Sequence, residues 1–126
     1  MLSSAAAIAG AQQPAPVQVD LDQSFASGDM QTAARDKSDS VLIGCGTRNI
    51  DDGLGGVYSY AFCQAEDAEG EYAACITENP SLVESVRAIS DFSFITFAWS
   101  VDGFGNLTCE SIGNSTQSIY LDKAKN

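Results

Sequence analysis

Val57-Tyr58-Ser59-Tyr60-Ala61-Phe62-Cys63-Gln64-Ala65 runs into Glu66-Asp67-Ala68-Glu69-Gly70, and the chain resumes as Glu71-Tyr72-Ala73-Ala74-Cys75-Ile76-Thr77. The flanking runs are rich in tyrosine, phenylalanine, valine and small apolar residues. The acidic, glycine-ended pentapeptide between them is turn chemistry. The stretch therefore reads as a β-hairpin. A turn centred on Glu69 sets Cys63 opposite Cys75 on one face and Phe62 opposite Ile76 on the other.

The same logic extends in both directions. Residues 41–45, Val-Leu-Ile-Gly-Cys, form an apolar run too short for a helix, and Gly53-Leu54-Gly55-Gly56 marks a turn. Downstream, Asn79-Pro80-Ser81 places a capping side chain before a proline at the first helical position, where a missing N–H costs nothing. Leu82, Val83, Val86 and Ile89 then recur at helical spacing, which predicts a helix over about residues 80–89. Beyond Ser90-Asp91 the period changes to two: Ile95, Phe97, Trp99 and Val101 alternate with smaller residues. Asp102-Gly103-Phe104-Gly105-Asn106 turns the chain, residues 107–112 return as a strand, and residues 118–121 offer a last one. The expected class is α+β, mainly β: an antiparallel sheet with one packed helix.

Four cysteines and no histidine occur in 126 residues. Cys45, Cys63, Cys75 and Cys109 are widely spaced, with no C-x-x-C pair, so two disulfides fit better than a metal or redox centre. The hairpin register favours Cys63–Cys75, leaving Cys45–Cys109. The alternative is Cys45–Cys63 across the glycine loop, leaving Cys75–Cys109. Either places the chain in an oxidising compartment, secreted or periplasmic.

Residues 1–11 are uncharged and end in Ala9-Gly10-Ala11, a small-x-small pattern that a signal peptidase accepts, so they read as a signal-peptide remnant. No window approaches the roughly 20 apolar residues of a membrane span, so no membrane insertion is expected. Residues 12–40 read as an extended arm or linker. Within it Val17, Val19 and Leu21 alternate with polar residues, a short half-buried strand pattern that can add an edge to the sheet, and a helical turn is predicted over residues 30–35 behind Asp29 as cap. Residues 41–122 form the disulfide-stapled domain, and 123–126 a polar tail.

The formal net charge is −11, and between Arg48 and Arg87 eight carboxylates stand with no lysine or arginine. Such a surface repels phosphate backbones and anionic lipid, which leaves nucleic acid a poor partner. The series Cys63-x-Ala65-x-Asp67-Ala68-x-Gly70, Cys75-x-Thr77-x-Asn79-Pro80, Phe97-x-Trp99 and Cys109 resembles a set of small exported bacterial proteins of unassigned function. That resemblance spans about residues 39–121. It implies a secreted disulfide domain and transfers no active-site residue.

Catalytic signals are missing. Without histidine there is no Ser-His or Cys-His pair, and both glycine stretches fail to complete G-x-G-x-x-G. Two carboxylates alone can run a glycosidase, but no particular pair stands out. No cofactor is expected. Asp67, Glu69 and Glu71 around Gly70 are the candidate cation ligands, for Ca²⁺, but Ala65 and Ile76 occupy the first and last ligand positions of the calcium-loop template. Asp51-Asp52 is a lesser candidate. Asn106-Leu107-Thr108 and Asn114-Ser115-Thr116 match the glycosylation pattern and read as turn chemistry. The tyrosines Tyr58 and Tyr60 share a face with Phe62 by parity, so their exposure decides whether that face can bind. The expected function is a non-catalytic module that binds a protein or glycan. The alternative is a self-assembling subunit whose arm pairs with a neighbour's sheet, and a carboxylate-based hydrolase comes third.

Overall fold

Three of the four β-hairpins are built on one turn chemistry. The structure, a computed structural model, describes residues 11–121. Strands β3 (Leu42–Asp51) and β4 (Val57–Glu66) are joined by residues 52–56, and β4 is joined to β5 (Tyr72–Thr77) by 67–71. Residues 102–106 join β6 (Phe94–Val101) to β7 (Leu107–Ser115). Each loop opens on an aspartate: Asp52, Asp67 or Asp102. Its Oδ1 accepts N–H bonds from the residues two and four places on: Leu54 and Gly56, Glu69 and Glu71, Phe104 and Asn106, all at 2.7–3.1 Å. Each aspartate N–H in turn donates to the carbonyl of the fifth residue, at 3.0, 3.0 and 2.9 Å. The fourth residue is always glycine in the left-handed region: Gly55, Gly70 and Gly105 have φ of 91°, 86° and 84°. A side chain there would be strained, so Asp-x-x-Gly-x specifies the turn locally.

The strands form one seven-stranded sheet in the order β1-β2-β6-β7-β5-β4-β3, with β1 at Gln18–Asp20 and β2 at Phe25–Asp29. Cys63 does lie opposite Cys75, and Phe62 opposite Ile76. Every pairing is antiparallel except β5 with β7. That exception follows from helix α2 (Pro80–Arg87), which carries the chain from the end of β5 over to β6, whose hairpin returns as β7 beside β5. The Asn79 side chain caps α2 by accepting from Ser81 and Leu82, as its sequence predicts, and Val83 and Val86 are buried. They pack with Ala61, Cys63, Ala73, Ile95 and Phe97 into one core on the inner face. A register shift beside Trp99 lets both Cys109 and Ile112 face that core, although their numbers differ in parity.

Residues 12–40 are not an arm ahead of the domain. β1 pairs β2, β2 pairs β6, and Val17, Val19 and Ala26 belong to the core. A Cβ on Gly28 would stand 2.9 Å from the Val17 Cα, so only glycine admits this close backbone approach. The predicted helical turn is present as α1 (Met30–Ala34), capped by Asp29. Asp29 is fully buried. Its Oδ1 accepts from the Thr32 N–H, and its Oδ2 from the Ala15 N–H and the Thr32 hydroxyl, each at 2.7 Å. One carboxylate thus caps the helix and fastens the incoming chain. Strand β2 escaped the sequence reading because Phe25-Ala26-Ser27-Gly28-Asp29 shows too little apolar alternation. Residues 118–121 also differ from expectation: Ser118–Tyr120 is a 3₁₀ turn, held where Tyr120 stacks on Phe94 at 5.3 Å.

The disulfides are Cys45–Cys63 and Cys75–Cys109, which corrects the favoured pairing. The reason is hydrogen-bond phase. An antiparallel pair alternates hydrogen-bonded positions with closer, non-hydrogen-bonded ones. Counting from Asp67 N–H to Glu71 C=O, odd-numbered residues of β4 are hydrogen-bonded to β5, so Cys63 and Cys75 form a wide pair. Counting from Asp52 N–H to Gly56 C=O, Cys45 and Cys63 form a narrow one, with Cα atoms 4.0 Å apart. Two closed bridges belong to an oxidising environment. The signal-peptide remnant expected at 1–11 lies, apart from Ala11, outside the described residues, as does the 123–126 tail. Among the described residues no helix is long and apolar enough to cross a membrane.

Candidate functional site

Of the acidic trio, Asp67 has a structural role. Asp67 is 5% exposed, and besides the two turn bonds to its Oδ1, its Oδ2 accepts the Val19 N–H at 3.2 Å. It ties β1 to the β4–β5 turn. Glu69 and Glu71 are exposed, and they share a surface groove with Asp20 and Asp22, two carboxylates that sequence spacing did not bring to them. Among the described residues no group of three or more side chains is arranged to hold a metal ion. Asp51 and Asp52 are likewise turn residues, Asp51 accepting from Gly53 at 2.7 Å. Asn106 is part of a turn, as expected, whereas Asn114 lies within β7 and donates to the Ser85 carbonyl at 3.4 Å.

The aromatic residues divide by strand parity. Phe97 and Trp99 face the core, with ring centroids 5.7 Å apart. By strand parity Tyr58, Tyr60 and Phe62 share the outer face of β4, and at one end Tyr58 borders a pocket with Pro80, Glu84 and Arg87 of α2. Across β3 and β5, Ile50 opposes Tyr58 and Ile76 opposes Phe62. Tyr58 and Ile76 are 48% and 52% exposed. The Phe62 ring lies over Gly46, where a Cβ would meet its Cζ at 2.7 Å, and the Arg48 guanidinium sits 5.0 Å from the ring centroid. This stack of strand, ring and cation holds Phe62 flat against the sheet. Beside it runs a groove of about 460 Å³, with Phe62, Gln64 and Ile76 on one bank and Asp102 and Leu107 on the other. The Tyr72 hydroxyl donates to Gln64 at 2.9 Å and orders one end. The Asp102 carboxyl on that bank is held below its ordinary value, chiefly by the Asn106 N–H and then by that of Phe104.

Strand β3 borders this face and ends the sheet. Its even-numbered residues hydrogen-bond to β4, so the N–H and C=O groups of Cys45, Thr47 and Asn49 point outward. The Thr47 carbonyl accepts from the side chain of its own neighbour, Arg48, at 2.9 Å, as an outward-facing group can. Among the described residues no backbone partner meets the outward groups of Cys45 and Asn49. Helix α1 covers only the start of the strand, where Met30, Ala33 and Ala34 face residues 41–43. The Asn49 side chain is anchored on the inner face, accepting from Ser59 at 2.6 Å and from Arg87 at 2.8 Å. Alternation at residues 57–62 signals the aromatic face; the open edge has no signal in the sequence, because strand order is not local information. No family model, curated protein or solved structure matches this chain.

Proposed function

We propose that the protein is an exported, non-catalytic binding module that engages a protein partner through the outer face of β3, β4 and β5. The carrying observation is the contiguous, half-exposed strip of Ile50, Tyr58, Tyr60, Phe62 and Ile76, bordered by a groove and set in an acidic surface. Tyrosine and phenylalanine held rigidly on a sheet bury large area at small entropic cost, which is the composition of interface centres. The two disulfides and the resemblance to small exported proteins support export. The self-assembly alternative loses its motive, since the Val17–Val19 segment is already paired in its own sheet.

Peptide and glycan arrays probed with the wild type and with the double variant Tyr58→Ser, Ile76→Ser test this. Both side chains are about half exposed, so the variant should fold. The expected result is a set of peptides retained by the wild type and bound at least tenfold more weakly by the variant. Identical profiles, or binding confined to glycans, would refute the reading.

A further inference from the structure

Resting on that reading, the geometry points to the class of partner: an extended, cationic polypeptide segment that adds to the sheet as an eighth strand along β3. Three observations converge. Among the described residues the outward backbone groups of Cys45, Thr47 and Asn49 have no strand partner, the Thr47 carbonyl being met only by the Arg48 side chain at 2.9 Å, and such a ladder is the template for strand addition. Natural sheets guard such edges with charged side chains, proline or a covering element; residues 44–51 hold no lysine or proline, their one arginine, Arg48, lies over the Phe62 ring, and α1 borders residues 41–43. On the outer face Gly44 has nothing within 4 Å of where a Cβ would stand, which leaves room for a partner's side chain next to the Gly46 position that Phe62 covers.

Charge selects the occupant. The end of β3 and the whole of β4 and β5 lie in the stretch between Arg48 and Arg87 that carries eight carboxylates and no lysine or arginine, and Asp51 and Asp52 stand exposed at the end of the edge. Its two flanking cations are already engaged, Arg48 over Phe62 and Arg87 with Glu84 at 2.8 Å. A second copy of a chain with net charge −11 is repelled by this surface, whereas a basic strand is attracted. The free edge from Cys45 to Asp51 has the length of a short peptide strand, roughly 3.3 Å per residue.

The test uses the labelled peptide KKVTVTVKK, its acidic counterpart EEVTVTVEE, and two isomers of the basic peptide N-methylated at either the valine or the threonine amides. N-methylation blocks hydrogen bonding along one edge of the added strand and leaves its charge intact. Fluorescence anisotropy should show the basic peptide binding at least tenfold more tightly than the acidic one. One methylated isomer should lose binding while the other keeps it. Thr47→Pro removes an outward N–H that no strand uses, so it should leave the melting temperature unchanged and weaken the basic peptide at least tenfold. Equal behaviour of the two isomers overturns strand addition, and because that contrast is made on the wild type it does not depend on the variant folding. A concentration-dependent dimer that Thr47→Pro abolishes would put a second copy on the edge and overturn the proposal too. If strand addition fails while Tyr58→Ser, Ile76→Ser still changes the array profile, the face reading stands without it.

Discussion

Replacing Asp67 by alanine should cost far more than replacing Asp52, although the two make the same turn. In both, Oδ1 accepts two backbone N–H groups within a five-residue loop, at 3.0 and 2.9 Å for Asp67 and 2.7 and 3.1 Å for Asp52. The Asp52 turn is exposed, so water takes over its N–H groups after truncation and the loss is about 1 kcal/mol. Asp67 is buried and also accepts the Val19 N–H at 3.2 Å. Its removal strands that donor inside the protein, which adds about 1–3 kcal/mol, for a total of about 2–4 kcal/mol. In a domain of this size each kcal/mol shifts the melting temperature by roughly 4–8 °C. Urea unfolding with the disulfides intact measures both variants. Amide hydrogen exchange gives the site-specific readout: the Val19 amide should lose protection in Asp67→Ala and keep it in Asp52→Ala. Equal destabilisation by the two, or an unchanged Val19 amide in Asp67→Ala, would refute the assignment of Asp67 as the tie between β1 and the hairpin.

Two further outcomes follow from the bridges and from the third turn. Closing loops of 18 and 34 residues, the Cys45–Cys63 and Cys75–Cys109 bonds should contribute about 3 and about 4 kcal/mol on the chain-entropy scale. Paired serine substitutions should therefore rank in that order, and non-reducing peptide mapping that found Cys63 joined to Cys75 would contradict the hydrogen-bond phase. Asp102, with its folded-state carboxyl held low by the Asn106 and Phe104 N–H groups, contributes stability that is complete above its unfolded value and is lost as pH falls through the lower folded one. Asp102→Asn should flatten the acid limb of a stability–pH curve below roughly pH 4 and leave its slope between pH 6 and 8 unchanged; an unaltered acid limb argues against the effect.

Much of the candidate site is legible in the sequence. Tyr58, Tyr60 and Phe62 share a face because strand parity is local, and the turn at Asp67–Glu71 placed Ile76 across from Phe62. The same acidic turn also drew attention as a cation loop, because a carboxylate that caps backbone N–H groups and one that binds a metal look alike in sequence. Burial and the contact with Val19 separate the two roles. The groove bank at Asp102 and Leu107 was out of reach, since it depends on β7 lying next to β5.

The amino-acid order alone determined the helix behind Asn79-Pro80, the alternation of β4 and β6, and the register of the β4–β5 hairpin. Each arises from interactions within a few residues: a cap, a left-handed glycine, a pleat. Only the tertiary structure decided which cysteines join, since both Cys45 and Cys75 face Cys63 and the phase of the ladders separates them. It also decided that residues 25–29 join the strand at 18–20 to β6 and that β3 is left as an edge. Those outcomes depend on strands far apart in the chain competing for the same neighbours, and backbone pairing carries almost no residue-specific signature of who will be beside whom.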